Sequence, residues 1–146
     1  MNECFRALRE LGYDEFREYI KVKRLPFKEN SRLLMVKNVI IDKETEEIVC
    51  NIDEPPKVTN LDTTPIFFYW WQNQWHVAAP GCLCMDENPD FYKCKSLKFL
   101  VWDAASGCIN WRTMDPKYTY VYMFDWKKGC LKCVDRHLTS CDHSNH

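Results

Sequence analysis

The spacing of apolar positions changes once along this chain, from a helical period to a strand-like one. Near the N-terminus Phe5, Leu8 and Leu11 recur every three residues among arginines and glutamates, the stripe of an amphipathic helix. Gly12 is placed to cap it. Asp14 is placed to open a second helix over Glu15–Ile20, with Phe16, Tyr19 and Ile20 toward a core. The basic run Lys21-Val-Lys-Arg24 then reads as a solvated connector to Pro26.

From Arg32 the period shortens. The run from Arg32 to Ile41 is rich in β-branched residues and predicts a strand, Asp42–Glu47 a turn, and Ile48–Ile52 the return strand. Pro55-Pro56 breaks regular structure, opening a loop to about Thr63. Ile66–Trp71 and Trp75–Ala78, separated by Gln72-Asn73-Gln74, predict a hairpin that Pro80-Gly81 ends. Residues 82–95 read as loop, Leu97–Trp102 as a short apolar element, and Asp103–Pro116 as irregular. Tyr118–Phe124 alternates as a strand, Lys127-Lys-Gly129 turns, and Cys130–Val134 returns. The division is therefore an N-terminal helical segment (1–29), a β-rich core (30–138) and a polar tail (139–146). The fold class is α+β: one antiparallel, β-rich domain behind a short helical segment.

Composition narrows what this domain does. An apolar content of 46% over 146 residues is enough for one buried core. The formal net charge of −1 supplies no global field for nucleic acid or an acidic membrane, so any polyanion site must be a local patch. The charged start has no apolar leader, and no apolar run approaches the roughly 18–20 residues that span a bilayer. A cytoplasmic or nuclear protein without a membrane partner is the expectation. Seven of the nine cysteines follow residue 80. In a reducing compartment they are thiols or metal ligands rather than a disulfide frame.

The order of the β pieces carries a resemblance. Arg32–Asp42 with Glu47-Ile48-Val49, then Thr64–Gly81 with its Trp75-His-Val-Ala-Ala-Pro-Gly end, then Tyr118–Val134 together resemble the hairpins of T4 RNA ligase 1-like nucleotidyltransferases. The likeness covers roughly residues 30–138 and implies a nucleotidyltransferase-like core. It also implies a nucleophilic lysine in a K-x-D-G motif, where an amine attacks ATP to form lysyl-AMP. Aligned from Trp75, that stretch is Asn60-Leu61-Asp62-Thr63: the aspartate is present, but asparagine stands for lysine and threonine for glycine. A delocalised amide is not a nucleophile, and Lys57 is three residues out of register.

Other family positions are altered as well. The acidic position of the last hairpin falls on Met123, with Asp125 two residues on, and Pro80 stands where the family has arginine. The later motifs that hold magnesium and triphosphate have no counterpart. The resemblance thus implies a pseudoenzyme that binds RNA, a nucleotide or a protein partner, as suits a viral or accessory protein. The groove would lie around Asn60 and Asp62, lined by Lys57, Lys37 and His76.

Two further chemistries are legible. Cys130-x₂-Cys133-x₃-His137-x₃-Cys141 has the ligand types of a structural zinc site, and Cys82-x-Cys84 offers a second donor pair. A zinc-stabilised interaction module is the alternative function. The competing reading is that x₂ spacing on a strand puts Cys130 and Cys133 on opposite faces, as small buried hydrophobes. A thiol redox protein using Cys130 and Cys133 is the second alternative, in a hairpin context unlike the helix N-terminus that such chemistry favours. The set Tyr69, Trp70, Trp71, Trp75, Trp102, Trp111 and Trp126 reads chiefly as β core, with one ring of Trp70 or Trp71 left for binding.

Overall fold

The computed structural model describes residues 3–37, 39–52, 62–80, 101–125 and 127–139. Two helices, α1 (Glu3–Leu11) and α2 (Tyr13–Lys23), precede eight strands. These are β1 (Phe27–Glu29), β2 (Leu33–Val36), β3 (Val39–Asp42), β4 (Glu47–Asn51), β5 (Thr63–Trp71), β6 (Gln74–Ala78), β7 (Tyr118–Asp125) and β8 (Cys130–Leu138). A third helix, α3, whose described residues are 101–108, and a 3₁₀ turn at Trp111–Thr113 lie between β6 and β7.

All strand pairings are antiparallel. The first sheet has the order β1-β2-β3-β4, the second β6-β5-β7-β8. Their inner faces meet: Leu33, Met35, Ile40, Cys50 and Ile52 of the first sheet pack on Phe67, Tyr69, Ala78 and Val121 of the second. The outer face of the first sheet, through Leu34, Val36, Val39 and Ile41, holds Phe5, Leu8, Phe16 and Ile20 of the two helices. The outer face of the second holds α3 and the 3₁₀ turn, with Phe68 edge-on to Trp102, Trp111 and Tyr122. The result is four layers, helix–sheet–sheet–helix. Central strands of such a stack are apolar on both faces. This accounts for the unbroken burial of β2 and β3 and for Phe67, Phe68 and Tyr69, each fully buried.

The α+β class, the antiparallel strands and the N-terminal helices agree with the sequence reading. Several local expectations change. The predicted strand 32–41 is two strands with a tight turn at Lys37, where the polar pair Lys37-Asn38 interrupts the apolar run. The basic run is not a connector: α2 continues to Lys23 and is capped by Arg24 at φ 54°. β1 lies within the segment expected to be helical and pairs with β2. Residues 103–108 are helical rather than irregular. Leu11, placed in the core by its spacing, is 40% exposed. Among the described residues, no helix is long and apolar enough to cross a membrane.

The β5–β6 hairpin forms as its sequence suggests. Gln72 and Asn73, at φ 53° and 60°, give the two left-handed residues that match strand twist in a two-residue turn. The β7–β8 hairpin is held by Asp125. Its Oδ1 accepts the amides of Lys127 (3.0 Å) and Lys128 (2.9 Å), while Gly129 takes φ 61°.

Candidate functional site

Pairing of β5 with β7 decides where the motif positions fall. Thr63 is opposite Asp125 and Pro65 opposite Met123, so the start of β5, next to Asp62, adjoins the β7–β8 turn. Asp62 and Thr63 are therefore neighbours of Met123 and Asp125 at one end of the second sheet. Asp62 is half-buried, and its Oδ2 lies 3.2 Å from Nζ of Lys127 on that turn. Both side chains of this pair see water, so it orients the carboxylate more than it stabilises the fold. Met123 is half-buried and offers only a thioether. Asp125 is engaged in its own turn.

His76 and Lys37 are not part of this end. His76 pairs with Tyr69, seven residues along β5 from Asp62, and an extended strand rises about 3.3 Å per residue. The histidine is therefore roughly 20 Å away along the strand. Lys37 is on the other sheet, exposed in the β2–β3 turn at φ 55°. A single groove lined by Asp62, Lys37 and His76 is not what the fold builds; the sequence reading had no register with which to separate them. Asn60 and Lys57 lie outside the described residues.

The opposite end of β5 carries a constellation the sequence reading did not assemble. Asp42, 2% exposed, receives Nε of Arg32 at 2.8 Å and Nη2 at 3.1 Å, a two-pronged pair. The indole of Trp71 donates to its Oδ2 at 2.9 Å, and the amide of Glu44 to its Oδ1 at 2.9 Å. Burial alone would raise this carboxyl and is the largest single influence on it. The hydrogen bonds from Arg32, Trp71 and the Glu44 and Thr45 amides together outweigh burial and hold it at about 2. The Arg32 guanidinium also stands 5.6 Å from the Trp71 ring centroid. His76 stacks on Tyr69 at 5.5 Å, lies 5.1 Å from Trp71, and bonds through Nε2 to the Trp71 carbonyl at 2.9 Å. One carboxylate thus ties the first sheet to the second at their common end. The signal was present in the sequence: an arginine opens the apolar run at 32 and an aspartate closes it at 42.

The cysteines are spread rather than gathered. Cys130, half-buried, and Cys133, exposed, are three residues apart on extended β8, and His137 is four further on beside Asp135 (Nε2–Oδ2 3.2 Å). At about 3.3 Å of rise per residue, the three span more than 20 Å, against metal bonds of roughly 2.0–2.3 Å. The strand does not bring them onto one ion, nor does it place Cys130 at a helix N-terminus for redox work. Among the described residues, no group of three or more histidines, cysteines and acids is arranged to hold a metal. Cys82, Cys84 and Cys141 lie outside the described residues. Cys50 is fully buried between the sheets, and burial pushes its thiol strongly up despite a hydrogen bond with Thr119.

No family model, curated protein or solved structure matches this chain.

The rings are mostly structural. Trp75, Trp102 and Trp111 join the outer core of the second sheet, and Trp70 stands edge-on to Trp75 at 5.3 Å. Trp71 is the half-exposed ring with a polar role, though that role is to hold Asp42. Trp126 lies outside the described residues. A cavity of about 510 Å³ is lined by none of the candidate residues. It lies between the α1–α2 elbow and the β3–β4 turn, lined by Phe5, Leu8, Arg9, Tyr13, Glu46 and Ile48 among others.

Proposed function

We propose that this chain is a non-catalytic, ligase-like domain that acts by binding RNA or a nucleotide at the Asp62 end of the second sheet. The observation that carries the reading is the β5–β7 register. It sets Thr63, next to Asp62, beside Asp125 and the β7–β8 turn, an arrangement that supports a shared ligand at this end. The groups at that end suit binding rather than covalent chemistry. Asp62 pairs with a lysine and Met123 is a thioether, and the sequence carries an amide, Asn60, where the ligase resemblance would have its lysine.

Two measurements test this. Incubation with radiolabelled ATP and Mg²⁺ should leave no protein-bound AMP, and a stable adduct would overturn the non-catalytic reading. Equilibrium titration with ATP and with a 5′-phosphorylated RNA should show binding weakened by Asp62→Ala. Absence of binding to either ligand, or binding indifferent to that substitution, would remove the proposal.

A further inference from the structure

Sequence composition leaves this protein without net positive charge, yet its cations are unevenly placed. Residues 19–28 contain four cations, Lys21, Lys23, Arg24 and Lys28, and no acid. The fold adds a fifth. Because Phe27 pairs with Val36, the next residue in the β2–β3 turn, Lys37, comes beside the start of β1. All five are exposed. Of the neighbouring acids, Glu29 bonds Arg17 (3.3 Å) and Lys43 (3.1 Å), both outside the patch, while Glu18 forms an exposed pair with Lys21 (3.3 Å) within it. Lys23 and Arg24 form no ion pair among the described residues.

Apolar side chains stand exposed inside this patch. Val22 is 77% and Phe27 45% exposed, two of the four large hydrophobic residues left exposed among the described residues. Phe27 points to the helix side of the edge strand, beside Ile20, Lys21 and Leu34, with Arg17 near its rim. The backbone also favours this arrangement over a bland surface. Arg24 and Lys37 occupy left-handed conformations, at φ 54° and 55°, where glycine or asparagine is the usual choice.

From these observations we infer that the surface formed by the end of α2, strand β1 and the β2–β3 turn binds single-stranded nucleic acid. Phosphates lie on Lys21, Lys23, Arg24 and Lys37, and a base stacks on the ring of Phe27. Cations flanking an exposed aromatic are what a flexible polyanion with π faces requires. A basic surface with apolar side chains also suits an anionic membrane. Here, however, the apolar face of α2, Phe16 and Ile20, is already buried against the first sheet, leaving too little to insert. The inference goes beyond the reading of the Asp62 end and involves the other sheet.

Fluorescence anisotropy with labelled oligo(U) and oligo(dT), over salt from about 50 to about 200 mM, reads the surface directly. Four engaged cations give a log–log salt slope of about −2.8 on a single strand. Lys23→Gln with Arg24→Gln should shallow the slope by about 1.4. Phe27→Leu, which keeps an apolar side chain over the β1 edge, should weaken binding about 5- to 100-fold with the slope unchanged. Thermal melting of each variant confirms that it is folded. An unchanged slope in the double variant, or full affinity in Phe27→Leu, overturns the assignment. So does tighter binding to vesicles of equal parts phosphatidylserine and phosphatidylcholine than to either oligonucleotide. Asp62→Ala separates the two proposals. If it abolishes oligonucleotide binding while the surface variants do not, the α2–β1 surface is refuted and the Asp62 site stands. The reverse result supports the surface and refutes the site.

Discussion

Replacing Asp42 by asparagine tests the link between the sheets. The substitution keeps size and shape, removes the charge, and turns an amide nitrogen toward donors that need an acceptor. A carboxyl held at about 2 rather than 3.8 is stabilising at neutral pH. At about 1.4 kcal/mol per tenfold, the gap corresponds to about 2.5 kcal/mol. Leaving a buried donor without its acceptor adds to this, so the expected loss at pH 7 is about 2–4 kcal/mol. For a chain of this length that is roughly 5–15 °C in Tm. The sign of the pH dependence follows from a depressed folded value. The contribution is complete above the unfolded value near 4, declines as pH falls toward 2, and disappears below that. Urea unfolding followed by tryptophan fluorescence at pH 7 and near pH 2 would measure both. A loss below about 1 kcal/mol at pH 7 would refute the argument. A loss of equal size at the two pH values would show that charge on Asp42 is not what joins the sheets.

Other expectations follow from particular contacts. Trp71→Phe deletes a donor to a charged acceptor and should cost about 1.5–3 kcal/mol in the same assay, with Asp42 titrating at higher pH. Phe68→Ala, at the centre of the outer aromatic cluster, should cost about 3–5 kcal/mol in chemical denaturation. Brief alkylation of the native protein with mass-spectrometric mapping should label Cys108 and Cys133, both exposed, well ahead of the buried Cys4 and Cys50. Equal rates would contradict the layered packing. Gln72→Asn with Asn73→Gly gives the β5–β6 turn residues suited to its two positive φ angles, and should raise Tm by a few degrees.

How far the sequence revealed this depends on the kind of information each element uses. The β5–β6 and β7–β8 hairpins were legible because strand period, polar turn residues and a closing glycine agree locally. The break at Lys37 was missed although the polar pair Lys37-Asn38 interrupts the run, because the two apolar stretches around it are each buried on both faces and read together as one strand. Helix α3 was hidden for another reason: of its described residues Val101, Ala104 and Ala105 meet the core, and two alanines give a weak helical period. The separation of His76 from Asp62 needed the strand register. So did the pairing of Arg32 with Asp42, ten residues apart yet adjacent across a hairpin. Charge clustering around Lys21–Arg24 was visible, but its exposure beside Phe27 required β1, three residues too few to show a period.

The placement of β5 has a consequence for how the chain acquires its structure during synthesis. Everything the first sheet needs, both helices and all four strands, is complete by Asn51. Its inner face is not, because Ile40, Cys50 and Ile52 are covered by Phe67, Tyr69 and Val121. β5 can close locally with β6, yet its other neighbour is β7, with Phe68 opposite Tyr120. Pairings of such long sequence separation form slowly, and exposed apolar faces invite association while they wait. A nascent chain halted before β7 would therefore present an N-terminal sheet with one side wet and a hairpin with one edge open. Ribosome-bound intermediates of that length are where a holdase chaperone would be found engaged, releasing once Tyr118–Asp125 has emerged to fill the gap.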